Sequence, residues 1–308
     1  MPKFLQTAFF WFKATRPEFL TGSVMPVLVG GALAYNATGH LLWGYFLLTL
    51  VALMLLHSAA NLANDYYDHV SGNDWVNKEF VRPFSGGSRL IQQGLAEAKH
   101  ILLASLICLF TGALIGAYLV WMRGWPILIL GVVGGLSGFF YTAKPLQLGY
   151  RGLGEIFIGL DFGVLPVLGT YYVQTQQFSA AAAIASLPVT FLIMAVLWIN
   201  QFQDYNADKA VNKLHWVVRL GRRRASYVYV GMLAAANLSL ILGVVSGVLP
   251  PLAAAVLLTL PLTVLAARTA LRFYDDLPRL LPANTTTIPL HLLTGILLTA
   301  GMAVDRLL

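Results

Sequence analysis

The chain has 308 residues, of which 58% are hydrophobic and 11% charged, and its mean hydropathy is +0.72. A water-soluble domain carries about 25% charged residues, so that class is excluded together with disordered and fibrous chains. The single cysteine, Cys108, excludes an internal disulfide framework, and the net charge of +7 is laid out as a topology signal, so no nucleic-acid partner is expected.

In chain order, residues 4–13 place Phe9, Phe10, Trp11 and Phe12 between Lys3 and Lys13. That pattern predicts a helix in the membrane interface, acting either as an anchor or as a lid. Apolar stretches of about 20 residues, enough to cross the hydrocarbon core, follow at 18–37, 41–62, 101–121, 125–142, 153–173, 181–203, 226–248, 250–268 and 285–305. The expectation is an all-α polytopic bundle of about nine transmembrane helices. It forms one domain over residues 1–308, sits in a lipid bilayer and carries no cleavable signal peptide.

Polar stretches at 64–100 and 204–225, and shorter basic ones at 143–152 and 269–284, join the spans on one side. Eighteen of the 20 Lys and Arg residues fall there or before the first span, leaving Arg123 and Arg306 opposite. The positive-inside rule then puts the N-terminus and both long loops in the cytoplasm, which for a bacterial or archaeal chain makes this the plasma membrane. Trp43, Trp121 and Trp125 fall at the predicted outer ends, as an aromatic belt requires.

Of the thirteen acids, only Asp161 and Asp305 lie away from the cytoplasmic side. Asn61, Asp65 and Asp68 close the second span; Asn200, Asp204 and Asp208 close the sixth. At about 100° per residue the first set spans an arc of roughly 60° and the second roughly 80°, so each helix points an amide and two carboxylates one way. Charge at membrane depth costs about 2.5–3.5 kcal/mol per group on insertion scales, and four converging carboxylates also repel. A divalent cation removes both problems. Mg²⁺ takes oxygen ligands and is usually held by one or two carboxylates plus substrate phosphates. Around the acids, the loop Arg82–Arg89 is basic and rich in Gly and Ser, a candidate anion nest. Tyr141 and Lys144 stand one turn apart at the inner end of the fourth span, and Lys209 and Lys213 follow the second acidic group.

At these residues the sequence resembles the UbiA superfamily of membrane prenyltransferases. The family pattern is Asn-x-x-x-Asp-x-x-Asp after the second span and Asp-x-x-x-Asp after the sixth, here Asn61, Asp65, Asp68 and Asp204, Asp208. The resemblance implies transfer of a polyprenyl group from its diphosphate to an aromatic acceptor, with Mg²⁺ on Asp65, Asp68, Asp204 and Asp208 at the cytoplasmic face. Lys144, Arg82, Asn200 and Lys209 are then expected on the diphosphate with Tyr141 beside Lys144, Asn61 as an orienting group, and the ring of Tyr66, Tyr141 or Tyr205 beside the allylic cation. Gly152-Leu-Gly-Glu155, Gly169–Gln174 and Arg219-Leu-Gly221 look most like the 1,4-dihydroxy-2-naphthoate branch of menaquinone synthesis, in which the acceptor loses its carboxylate. His215 stands where that branch usually has a small hydroxyl residue, and Asp161 where it has an uncharged one. No obligate protein partner is expected.

Three groups keep two readings each. Asp161 either takes a proton from the acceptor's hydroxyl or ties two helices together; Glu155 either contacts the acceptor or caps its own helix; His57 is either a satisfied core residue or a ligand. Alternative acceptors are 4-hydroxybenzoate, homogentisate, a porphyrin or a glycerol phosphate. A cation transporter is the alternative from another class.

Overall fold

The computed structural model describes residues 3–82 and 84–308, which are helices and connections without a strand. In hydrocarbon every backbone N–H and C=O must be satisfied within its own segment or a closed barrel, so a chain this apolar folds into helices. Eight helical segments are long and apolar enough to cross a membrane, and Pro126–Phe139 is a ninth, shorter apolar helix. The chain is an integral membrane helix bundle.

Before the first span, α1 (Lys3–Ala14) ends in a turn at Arg16, whose φ of 56° is left-handed. Then come α2 (Thr21–Thr38), α3 (Trp43–Val70), the single turn α4 (Asn73–Val76), α5 (Ala98–Arg123) and α6 (Pro126–Phe139). The fifth long segment is composite: α7 (Gly154–Gly159), a π-turn at Leu160–Val164, and α8 (Leu165–Thr175). The second half contains α9 (Ala180–Ala210), α10 (Trp216–Val245), a 3-10 stretch at Pro251–Thr259 leading into α11 (Leu260–Phe273), and α12 (Leu277–Asp305).

Two expected boundaries move. The polar stretch 204–225 is not one loop: α9 carries Asp204 and Asp208 within it, and α10 already holds Arg219 and Arg222–Arg224. Charges at a helix end near the membrane interface lower local hydropathy without breaking the helix, since their heads reach interfacial water. Gly221, at φ 74°, is the one break inside α10. Similarly, α3 runs on to Val70, so the first acidic set lies on helix.

Small residues let the bundle close, as in membrane interiors generally. A Cβ on Gly30 of α2 would meet the Val167 carbonyl of α8 at 2.6 Å, and one on Gly163 would overlap the Thr190 side chain of α9. Leu192, Trp198, Ile199 and Phe202 of α9 pack with Val217, Tyr229 and Leu233 of α10 and Leu280, Ala283 and Leu290 of α12. Behind the acidic half of α9 these helices form a solid wall. A cavity opens in front of it, between α3, α6, the α7–α8 segment and α9.

Candidate active site

The cavity has a volume of about 210 Å³ and is partly open. Arg16, Asn61, Asn64, Asp68, Asn73, Asp74, Asn77, the loop 84–87, Tyr141, Asp161, Asn200, Asp204, Asp208 and Lys213 all border it. The two acidic helix ends therefore do face each other, on α3 and α9, as their spacing predicts. Pro83 of the basic loop lies outside the described residues.

The carboxylates are held by cations and amides from this chain. The Lys213 ammonium stands 3.3 Å from Asp68 and 3.6 Å from Asp208 and bridges the two motifs. Burial alone would lower its pKa, but Asp208 and Asp68 overcome that and hold it well above the ordinary lysine value. Asn73 donates to Asp208 at 2.8 Å and Asn77 to Asp204 at 2.7 Å. Asn64 donates to Asp68 at 3.0 Å, and the Tyr150 hydroxyl does so at 3.2 Å. Burial, and then the charge of Asp68, push the Tyr150 phenol up to about 12.

Asp65 lies one layer back. It is 3% exposed, accepts from the Ser88 backbone N–H at 3.1 Å, and leaves its second oxygen buried without a partner. Gly87, at φ 68°, covers it so closely that a Cβ would come within 2.7 Å of Asp65 Oδ1, so both the backbone sign and the approach require glycine here. Arg16 reaches the same corner, with Nη2 3.3 Å from the side-chain oxygens of Asn61 and Asn64 and 3.9 Å from Asp65. Its Nε is buried and unpartnered.

His215, fully buried, lies 2.9 Å from Asp208 through Nε2, while its Nδ1 accepts from the Val218 N–H at the start of α10. An acceptor at Nδ1 puts the proton of the neutral ring on Nε2, so His215 donates to Asp208 and caps α10 at once. Asp74 is bonded by Gln92 at 2.8 Å. Burial, reinforced by Asp68 and opposed by Arg89, pushes its carboxyl up to about 7.

Among the residues singled out from sequence, Asn61, Asp68, Tyr141, Asn200, Asp204 and Asp208 line the cavity, and Asp65 lies behind Gly87. Burial, then Glu155, raises the Tyr141 phenol pKa. Asn200 accepts from Asn284 of α12 at 2.8 Å. Three bases are elsewhere. Lys144 and Lys209 are exposed, the latter over the Tyr205 ring, and Arg82 closes its own loop onto the Ser88 carbonyl at 2.6 Å. The base that stands between the two motifs is Lys213. Glu155 is buried outside the cavity and accepts from the Trp216 N–H at 2.9 Å, so it caps α10 and not its own helix. His57 is held by Ser23 at 2.9 Å and packs against Phe162, with ring centroids 4.3 Å apart. Asp161 receives the Ser137 hydroxyl.

Along the chain Arg16 reads as a topology base and His215 as an oddity, Lys213 is one of several bases near the acids, and Asn73, Asp74 and Asn77 pass unremarked, yet all of them reach the site. A signal is present: six Asn or Asp residues occur within 61–74 after a largely apolar run of helix.

The donor set suits a hard divalent cation, being oxygen-only apart from Lys213 and His215, with the buried oxygens of Asp65, Asn73 and Asn77 unmet. Among the described residues no three His, Cys, Asp or Glu side chains converge as a closed cage. The residues therefore fit a metal held by carboxylates from one or both helices and completed by substrate oxygens, the usual arrangement for Mg²⁺.

The sequence pattern of the UbiA prenyltransferase family matches residues 23–288. The chain is 32% identical to the 1,4-dihydroxy-2-naphthoate octaprenyltransferase of Escherichia coli, over 96% of each chain. It is 28% identical to the Bacillus subtilis protein of the same name, over 96% of this chain and 92% of that one. In fold it is similar to a UbiA homolog from Archaeoglobus fulgidus bound to GPP and Mg²⁺, with a TM-score of 0.62 and 15% identity over 96% of this chain and 99% of that one. The family pattern over residues 23–288 and the 32% identity along nearly the whole chain place it in the UbiA family: it is a membrane prenyltransferase.

Proposed function

We propose that this prenyltransferase moves a polyprenyl group from its diphosphate to 1,4-dihydroxy-2-naphthoate, with loss of the acceptor's carboxylate, as a step of menaquinone synthesis. The whole of residues 1–308 acts as one unit in the plasma membrane, with the site at the cytoplasmic face. The observation that carries the acceptor assignment is the similarity, along nearly the full chain, to relatives named for that acceptor.

Diphosphate leaves only when the charge growing on it is neutralised. Mg²⁺ is the proposed cofactor, held by Asp65, Asp68, Asp204 and Asp208, and when bound it supplies Lewis-acid neutralisation of the leaving group. Lys213, already between Asp68 and Asp208, adds a cation that cannot be lost by chelation. Asn73, Asn77 and Asn200 orient carboxylates and phosphate oxygens, and Arg16 offers the unmet Nε–H to an anion. The prenyl chain lies in apolar space between helices, which keeps water from the allylic cation, and the Tyr141 ring presents a π-face to it.

Purified protein in detergent, given Mg²⁺, a polyprenyl diphosphate and either 1,4-dihydroxy-2-naphthoate or 4-hydroxybenzoate, tests the proposal by product mass. The expected product is a decarboxylated prenyl-naphthol. EDTA should abolish it, and Asp208→Asn should lower turnover by about a hundredfold or more. A prenylated benzoate as sole product would reject the acceptor assignment, and full turnover of Asp208→Asn would reject the site.

A further inference from the structure

A second, mostly apolar chamber of about 120 Å³ adjoins the first, bordered by α3, α5, α6 and the α7–α8 segment. It shares His57, Ala60, Gly138, Asp161 and Phe162 with the polar cavity. Asp161 thus stands at the neck between the two. Its place depends on the π-turn Leu160–Val164, whose extra residue per turn interrupts the α-helical phase between α7 and α8. Such turns inside α-helices recur at functional sites.

Asp161 is short of hydrogen-bond donors. The Ser137 Oγ lies 2.8 and 2.7 Å from its two oxygens, but also 2.7 Å from the Val133 carbonyl and 3.1 Å from that of Gly134. One hydroxyl proton serves four acceptors. No cation pairs with Asp161 among the described residues, although a carboxylate offers about four acceptor positions. A purely structural tie between α6 and the π-turn would be better made by two neutral groups, because an under-bonded carboxyl in a membrane interior is costly. Asp161 borders the polar cavity together with Phe162 and His57, whose rings pack with centroids 4.3 Å apart.

Resting on the function proposed above, we infer that Asp161 takes the proton from the acceptor hydroxyl adjacent to the ring carbon that is alkylated, with Ser137 fixing the carboxyl's orientation. The prenyl C–O bond breaks with its electron pair leaving on diphosphate, and the new C–C bond forms at the ring carbon bearing the carboxylate. As it forms, the hydroxyl proton passes to Asp161 and the ring oxygen becomes a ketone. The β-keto carboxylate then loses carbon dioxide, its bonding pair enters the ring as an enolate, and Asp161 returns the proton to that oxygen. The carboxyl ends as it began and no further reactant is consumed.

The test compares wild type, Asp161→Leu and Asp161→Asn on 1,4-dihydroxy-2-naphthoate and on the two naphthoates that lack one hydroxyl each. Removing the interacting hydroxyl should cost wild type about tenfold or more in kcat/KM beyond what it costs Asp161→Leu, the coupling expected of a hydrogen bond to a charged group. Asp161→Asn, which keeps the shape but cannot hold the proton as an acid, should lose kcat while keeping the KM values of both substrates within about threefold of wild type. It carries the test alone if the leucine variant does not fold. Equal losses in wild type and variant for both analogues, or an Asp161→Asn enzyme with wild-type kcat, would overturn the assignment to Asp161. Absence of any prenylated aromatic from wild type would overturn the proposed function and this inference together.

Discussion

Lys213 shows how one residue decides the character of the site. It neutralises Asp68 and Asp208 across the gap between α3 and α9, and removing one partner of such a buried arrangement typically costs about 3–5 kcal/mol because the other charges are left uncompensated. Lys213→Met should therefore lower the melting temperature of the metal-free protein by several degrees. Mg²⁺ should restore more of the loss in this variant than it adds to wild type, since it neutralises the same carboxylates. A melting temperature in EDTA equal to that of wild type would show that the ammonium is not what keeps the carboxylates together. His215 acts on the same aspartate from behind, and its double role explains why a serine-sized residue is not needed there: the ring spans from the α10 N-terminus to Asp208.

At the scale of elements, the α7–α8 segment governs how the site is assembled. Gly163 lets the π-turn approach Thr190 of α9 more closely than any Cβ permits, and this approach holds Asp161 at the neck while α9 presents Asp204 and Asp208. Gly163→Val should overpack this contact and cost about 1–3 kcal/mol. A Cβ added at Gly231 of α10 would have nothing within 4 Å, so Gly231→Ala should leave stability unchanged or raise it by about 0.5–1 kcal/mol, the helical penalty of glycine. Thermal melting of the two variants in one detergent checks the pair. Similar effects from both would mean that helix propensity, and not the close approach, decides.

For the molecule as a whole, the cavity lies between two sets of helices, and the ligands that fill it join those sets. A metal alone finds no closed carboxylate cage among the described residues, whereas on the function proposed above metal with a prenyl diphosphate would connect α3, α4 and α9. At a ligand concentration of about 100 times Kd, binding adds about 2.7 kcal/mol of stability. Thermal unfolding should therefore shift by several degrees with Mg²⁺ and prenyl diphosphate together and much less with either alone. A full shift from Mg²⁺ by itself would point to a preformed metal centre. Asp204→Asn should remove most of the joint shift, because Asp204 contributes from the α9 side.

Composition was sufficient for the membrane class, because long apolar runs leave a chain few ways to satisfy its backbone in lipid. The spacing of Asn61, Asp65, Asp68 and of Asn200, Asp204, Asp208 was equally legible, because helical period alone puts each set on one face. Which bases serve the site was not: Lys144, Lys209 and Lys213 all stand near a motif in sequence, but only the turn after α9 brings Lys213 between the two aspartates, while Lys144 and Lys209 face outward. Glu155 likewise reads as either an acceptor contact or a cap for its own helix, and in the structure it caps α10, 61 residues away. The sequence by itself determined what is periodic along a single helix. Only the tertiary structure decided what depends on loop geometry and on approach between helices: the Lys213 bridge, the His215 support of Asp208, and the position of Asp161 between a polar and an apolar chamber. Side-chain reach across a gap has no signature in the order of residues along the chain.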